Sequence, residues 1–116
     1  MMTRTNFSMV DQVISMVRGD TLSFGVQIED QTGALMDIES AYFACKKSYL
    51  DDENIFKKTL GDGITKAETG KYIVRVAPED TAEVEAGQYF YELRVGDNSD
   101  VFTILKGVIN IEMDIT

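Results

Sequence analysis

The sequence contains no histidine and no tryptophan, and only one cysteine and one proline among its 116 residues. Without histidine the chain lacks the commonest general acid/base, the commonest transition-metal ligand and the usual pH switch. A single cysteine, Cys45, excludes an intrachain disulfide and any zinc site of the Cys/His type. It lies in the apolar run 41–45 with no base nearby in sequence, which is the setting of a small buried hydrophobe rather than a nucleophile. Basic residues are also scarce, 11 against 20 acidic, for a net charge of −9. That sign opposes nucleic-acid phosphates and anionic lipid as main partners. Residues 1–17 offer no continuous apolar stretch of signal-peptide type, and no run reaches transmembrane length. The expectation is synthesis in the cytosol without membrane insertion.

What is present is period-two patterning. In 85–95 a glycine is followed by strict alternation, with Tyr89, Tyr91, Leu93 and Val95 on one face and Gln88, Phe90, Glu92 and Arg94 on the other. This reads as a central, half-buried strand whose tyrosine hydroxyls each need a partner. Residues 21–29 alternate as cleanly, with Leu22, Phe24, Val26 and Ile28 inward. Further strands are expected at 40–48 (Ala41, Phe43 and Cys45 inward), at 55–60, and at 71–77 (Tyr72, Val74 and Val76 inward). The last lies at 101–115, with a kink allowed at Gly107 and Ile109, Ile111, Met113 and Ile115 sharing one face. Residues 7–17 fit a strand better than a helix because of their β-branched content, with Val13, Ser15 and Val17 alternating. Residues 64–69 read as a link between turns. Pro78 followed by acids suits the first turn of a short helix over 78–84.

Seven to nine short strands with turns every ten or so residues predict an all-β sandwich or barrel. A loose N-terminus is expected at 1–6 and a single domain at 7–116. Lys46, Lys47, Lys57 and Lys58 fit edge-strand protection. The Arg18-Gly19-Asp20 triplet is ordinary turn chemistry before a strand rather than an integrin motif.

Two acidic clusters, 51–54 and 97–100, supply the hard oxygens that calcium takes, but neither has EF-hand spacing, so solvated loops are expected. No phosphate loop or Ser/Lys pair is present, and the balance points away from an enzyme and from any cofactor. Tyr42, Tyr49 and Phe102 are candidates for a sugar-stacking platform. A carbohydrate- or calcium-binding module is the alternative reading.

Asp80-Thr81, Val84, the run Gly87, Tyr89, Tyr91, Glu92 and Leu93, then Val101, Thr103, Ile104, Leu105 and Gly107, closing on Ile111 and 114–116, resemble the N-terminal domain of phage baseplate upper proteins. Residues 18–22 with Phe24, and the Asp30–Gly33 turn before Asp37-Ile38, are similar to the first half of the same family. The resemblance covers about residues 14–116. It implies an immunoglobulin-like antiparallel sandwich in a virion structural protein of the tail, baseplate or fibre, working by contact with other virion proteins. It implies no catalytic residues. Members of that family continue past this domain, so a module that ends near Thr116 is expected to dock onto another particle protein. Homo-oligomerisation is expected because repeated symmetric contacts build such particles. The expected interface is the set of apolar side chains that alternation turns outward: Tyr42, Ile73, Phe90 and Phe102.

Overall fold

The computed structural model describes residues 3–5, 13–30, 32–97 and 100–115. In chain order these form β1 (Thr3–Thr5), β2 (Ile14–Val17), β3 (Leu22–Asp30), β4 (Ser40–Lys46), β5 (Phe56–Leu60), β6 (Gly63–Glu68), β7 (Lys71–Val76), the helical turn α1 (Pro78–Thr81), β8 (Gly87–Gly96) and β9 (Val101–Glu112). The strands hydrogen-bond in the order β1-β3-β7-β6-β5-β4-β8-β9-β2. β5 and β6 meet only at Thr59 with Gly63 and Leu60 with Ile64. The row folds over at that short junction into two layers. The turn that makes it, Gly61-Asp62-Gly63, holds both glycines at positive φ (91° and 100°), a conformation open to them without steric cost.

β1, β3, β7 and β6 take the places of strands A, B, E and D of an immunoglobulin sandwich, and β5, β4, β8 and β9 those of C′, C, F and G. The fold is therefore an immunoglobulin-like β-sandwich. Two pairings depart from a purely antiparallel arrangement: β5 with β6, and β2 with β9. One core fills the space between the layers, with Val26, Ile28, Val74 and Val76 from one side and Phe43, Tyr91, Leu93, Leu105 and Ile109 from the other.

The Tyr89 hydroxyl finds the partner its burial demands. Tyr89 donates to the carbonyl of Glu85 at 2.5 Å, the tyrosine corner of immunoglobulin domains. Tyr91, two residues on, stands where those domains carry a disulfide cysteine. Here it packs on Phe43 at 5.6 Å, and Phe43 meets Phe24 edge-on at 5.4 Å and Phe56 at 6.0 Å. Each such pair adds roughly 0.5–1.5 kcal/mol beyond buried area. Three pairs together approach the roughly 2–4 kcal/mol of a disulfide, in a chain that cannot form one.

Four local expectations differ from the structure. Thr3–Thr5, within the stretch read as a loose terminus, pairs with β3 as β1. Residues 64–68 belong to β6, in which only Ile64 is buried, so no alternation was there to read, and Thr69 lies in the turn that follows. The helical turn stops at Thr81 rather than running to 84, because Val84 turns back onto the core. Glu83 and Glu85 would also oppose the dipole at a helix C-terminus. Finally, β2 turns Ile14 and Met16 toward the core, Met16 buried and Ile14 partly so, rather than the Val13, Ser15 and Val17 face, since its parallel register sets Ile14 beside Ile109 and Met16 beside Ile111. Residues 7–12 of the strand expected over 7–17 lie outside the described residues, and Val13 is exposed before β2 begins.

β9 carries the largest surprise. Leu93 faces Leu105 but Arg94 faces Thr103, leaving Ile104 as an extra residue. This bulge buries Ile104 and Leu105 in succession and reverses which side every earlier residue faces. Pairing ends at Glu112, so Met113 is 69% exposed and Ile115 fully so, contrary to the single apolar face expected for them.

The Arg-Gly-Asp turn is a structural clamp. Arg18 holds the Asp114 carboxylate through Nη2 at 2.9 Å and Nε at 3.2 Å, and donates through Nη1 to the Val84 carbonyl. The Gly19 N–H donates to the fully buried Thr81 hydroxyl at 2.9 Å. Asp80 accepts from the Ala77 N–H at 2.7 Å and pairs with Lys58 at 2.6 Å.

Candidate functional site

Because side chains alternate, the outward face of the second sheet follows from the register. One row across it reads Thr59, Tyr42, Arg94, Thr103, and the next Lys57, Ala44, Glu92, Lys106. A third reads Lys46, Phe90, Val108. The loop from β4 to β5 folds back over this face and lays Tyr49 on Phe90, ring centroids 4.7 Å apart. The Tyr49 hydroxyl donates to the Gly107 carbonyl at 3.1 Å, which fixes the ring. The result is a groove of about 220 Å³ whose lining includes Tyr42, Tyr49, Asn54, Lys57, Phe90 and Glu92.

Charge is organised around the rings. Tyr42 donates to Glu92 Oε2 at 2.9 Å, and Lys57 stands 4.7 Å over the Tyr42 ring. Lys106 caps the Tyr49 ring at 5.1 Å. Such cation–π contacts stabilise by roughly 0.5–1 kcal/mol at exposed sites. Tyr42 first, and then Glu92, push the Arg94 guanidinium further above its ordinary value. Arg94 Nε is the one buried side-chain polar atom without a partner among the described residues. Four cations and one carboxylate thus occupy the middle of this face on a chain of net charge −9.

The loop itself is built to display its tip. The Asp51 N–H donates to the Ser48 carbonyl at 3.0 Å, closing a tight turn. Lys46 Nζ then holds the Asp51 carbonyl at 2.7 Å. Leu50 stands at the apex, 92% exposed, followed by the exposed Asp51, Asp52 and Glu53.

Of the four residues expected at an interface, the structure brings together Tyr42 and Phe90, both half-buried in the groove. Ile73 is outward and 41% exposed, but it lies on the other sheet, opposite Gly25 in a shallow depression. Phe102 faces Val95 and packs against the core. Its outward placement is corrected by the bulge at Ile104, which also removes it from the stacking platform proposed with Tyr42 and Tyr49. Leu50, Arg94 and Lys106 were missed as members of the site; a leucine directly followed by two aspartates in a turn was the one readable signal for the tip.

Among the described residues no three His, Cys, Asp or Glu side chains come together to hold a metal ion. In the 97–100 loop, the Asp97 carboxylate accepts the Asp100 N–H at 2.9 Å; Asn98 and Ser99 lie outside the described residues. Cys45 is fully buried, and burial pushes its thiol up to about 12, so it carries no thiolate at neutral pH. No helix among the described residues is long and apolar enough to cross a membrane.

No protein-family profile matches the sequence, and no curated protein matches it. Solved structures similar to it include tandem immunoglobulin domains of titin, 12% identical with a TM-score of 0.48 over 97% of this chain and 49% of that one. Domains 4 and 5 of the S-layer protein SbsC are 14% identical, with a TM-score of 0.47 over 97% of this chain and 45% of that one. The swine CD8αα homodimer is 10% identical, with a TM-score of 0.48 over 97% and 98%. The chain spans about half the length of the titin and S-layer chains. The assignment of fold rests on the strand order and the tyrosine corner described above.

Proposed function

We propose that this chain is a non-catalytic interaction module, acting by protein–protein contact through the outward face of β5, β4, β8 and β9 as a structural component of a phage or prophage particle. The observation that carries the contact reading is the groove. Tyr42, Tyr49 and Phe90 are fixed in place by hydrogen bonds, stacking and cations, yet folding leaves them open to solvent. Clustered aromatic side chains that the fold does not cover are the usual anchors of contact sites. The particle assignment is supported by the sequence resemblance of 14–116 to baseplate upper proteins. On this reading the protein belongs to the virion, alongside tail or baseplate proteins, after synthesis in the bacterial cytoplasm.

The test has two steps. Mass spectrometry of purified particles or induced lysates should find the chain in the particle fraction, and its absence there would remove the assignment. Particles carrying Phe90→Ser with Tyr42→Ser should then lose the protein while the purified variant still folds. Retention of the double variant would show that another surface makes the contact.

A carbohydrate ligand is the second reading, favoured by the mixture of three rings with Asn54, Lys57 and Glu92 in one groove. Saturable binding on a glycan array, abolished by Phe90→Ser, would move the assignment to it.

A further inference from the structure

The loop tip and the groove have opposite chemistries on one face. Leu50 is apolar and fully presented, and Asp51 and Asp52 follow it in the chain. The groove is aromatic, with Lys57 and Lys106 over its rings. Within one molecule the tip cannot fill the groove, because the turn and the Lys46 contact hold Leu50 out in solvent. A tip and a socket that match each other, carried side by side on one surface, satisfy the condition for an isologous two-fold interface, in which residue i meets j and j meets i.

We infer that this face binds a second copy of the same chain, the Leu50 tip of each protomer entering the aromatic groove of the other and its aspartates meeting the other's Lys57 and Lys106. The inference rests on the contact reading above and names the partner. Charge supports the choice of face. Two chains of −9 repel, and the middle of this face gathers four of the eleven basic residues against Glu92. It is therefore a surface on which two acidic chains can approach at low cost. Preorganisation supports it as well, since the turn fixes the tip and Tyr49 is already anchored, so little side-chain entropy is lost on association.

Sedimentation equilibrium on the full chain tests the proposal. The wild type should approach twice the 13.0 kDa chain mass and dissociate on dilution. Lys57→Glu with Lys106→Glu leaves acidic tip against acidic groove, and Asp51→Lys with Asp52→Lys leaves basic against basic. Each variant alone should fall to the single-chain mass. Mixing the two should restore a dimer, because both contacts are then complementary. Leu50→Ser, at a site too exposed to affect folding, should weaken the wild-type dimer and covers the case in which a charge variant misfolds. A wild type that stays at 13.0 kDa at every concentration overturns the proposal, as does a dimer that survives both charge variants or a mixture that stays monomeric. Particle incorporation separates the two ideas. A monomeric chain whose incorporation still needs Phe90 removes the second copy and keeps the contact reading. A dimer broken by the variants in a chain absent from particles keeps the second copy and the contact face and removes the particle assignment.

Discussion

On its inner side the β4–β8 pair presents Phe43 and Tyr91; on its outer side, one residue away in each strand, it presents Tyr42 and Phe90. The inner rings are closed to solvent, and Phe43 touches three other rings, Tyr91 among them. The outer rings are positioned by fewer partners, several of them charged, and keep a solvent-facing surface. The same residue types on the same strands therefore serve two purposes, and burial alone separates them. An inner ring should be costly to the fold when removed, and an outer ring costly only to association.

Phe43→Ala should break the comparison most severely. A buried phenylalanine truncated to alanine costs about 3–5 kcal/mol, a large part of the roughly 5–15 kcal/mol available to a domain. Urea unfolding should show the midpoint collapse; a loss no larger than that of an outer-face variant would refute the assignment of Phe43 to the core. Tyr89→Phe keeps the ring and removes only its bond to the Glu85 carbonyl, so about 1 kcal/mol should go. An unchanged midpoint would mean that the tyrosine corner contributes nothing here.

A third measurement concerns Tyr72, an inner ring whose hydroxyl reaches the rim. It accepts from the Ile38 N–H at 3.0 Å and donates to Asp37, which also accepts from Lys66 Nζ at 2.6 Å and the Gly70 N–H at 2.9 Å. Lys66 first, and then the Gly70 N–H, hold the Asp37 carboxyl below its ordinary 3.8. A depressed carboxyl contributes stability that is complete above the unfolded value and is lost as pH falls through the lower folded one. Melting temperature should therefore drop below pH 3.8, and Asp37→Asn should flatten part of that acid limb. An acid limb identical in the variant would show that other carboxylates account for it. The smallest effect on stability should come from Phe90→Ala, less than about 1 kcal/mol as for other surface changes, while association is lost. A loss as large as that of Phe43→Ala would place Phe90 in the core after all.

Much of this two-sided arrangement was legible in the sequence, because alternation in 21–29, 40–48, 71–77 and 85–95 is a direct record of which side chains meet water. Tyr42 and Phe90 could be named as outward for that reason. Phe102 could not, since one extra residue at Ile104 reverses parity and leaves no mark in composition. Ile73 was correctly outward, yet alternation within a strand says nothing of which sheet the strand joins. The parallel placement of β2, the exposure of Met113 and the presentation of Leu50 all depend on pairings distant in the chain, where local periodicity carries no information.

Those pairings also give the domain a direction of strength. β2 and β9 run side by side in the same sense, Ile14 beside Ile109 through Val17 beside Glu112. Tension entering through the start of β2 and leaving through the end of β9 pulls the two strands along their length in opposite directions. Their hydrogen bonds are then sheared together rather than unzipped one at a time. The Arg18–Asp114 ion pair lies just beyond the last of them and reinforces the same seam. Stretched between flanking handles in an optical trap, the domain should yield in a single abrupt event whose force falls in Arg18→Ala; a gradual extension with no force peak would show that the seam bears no tension.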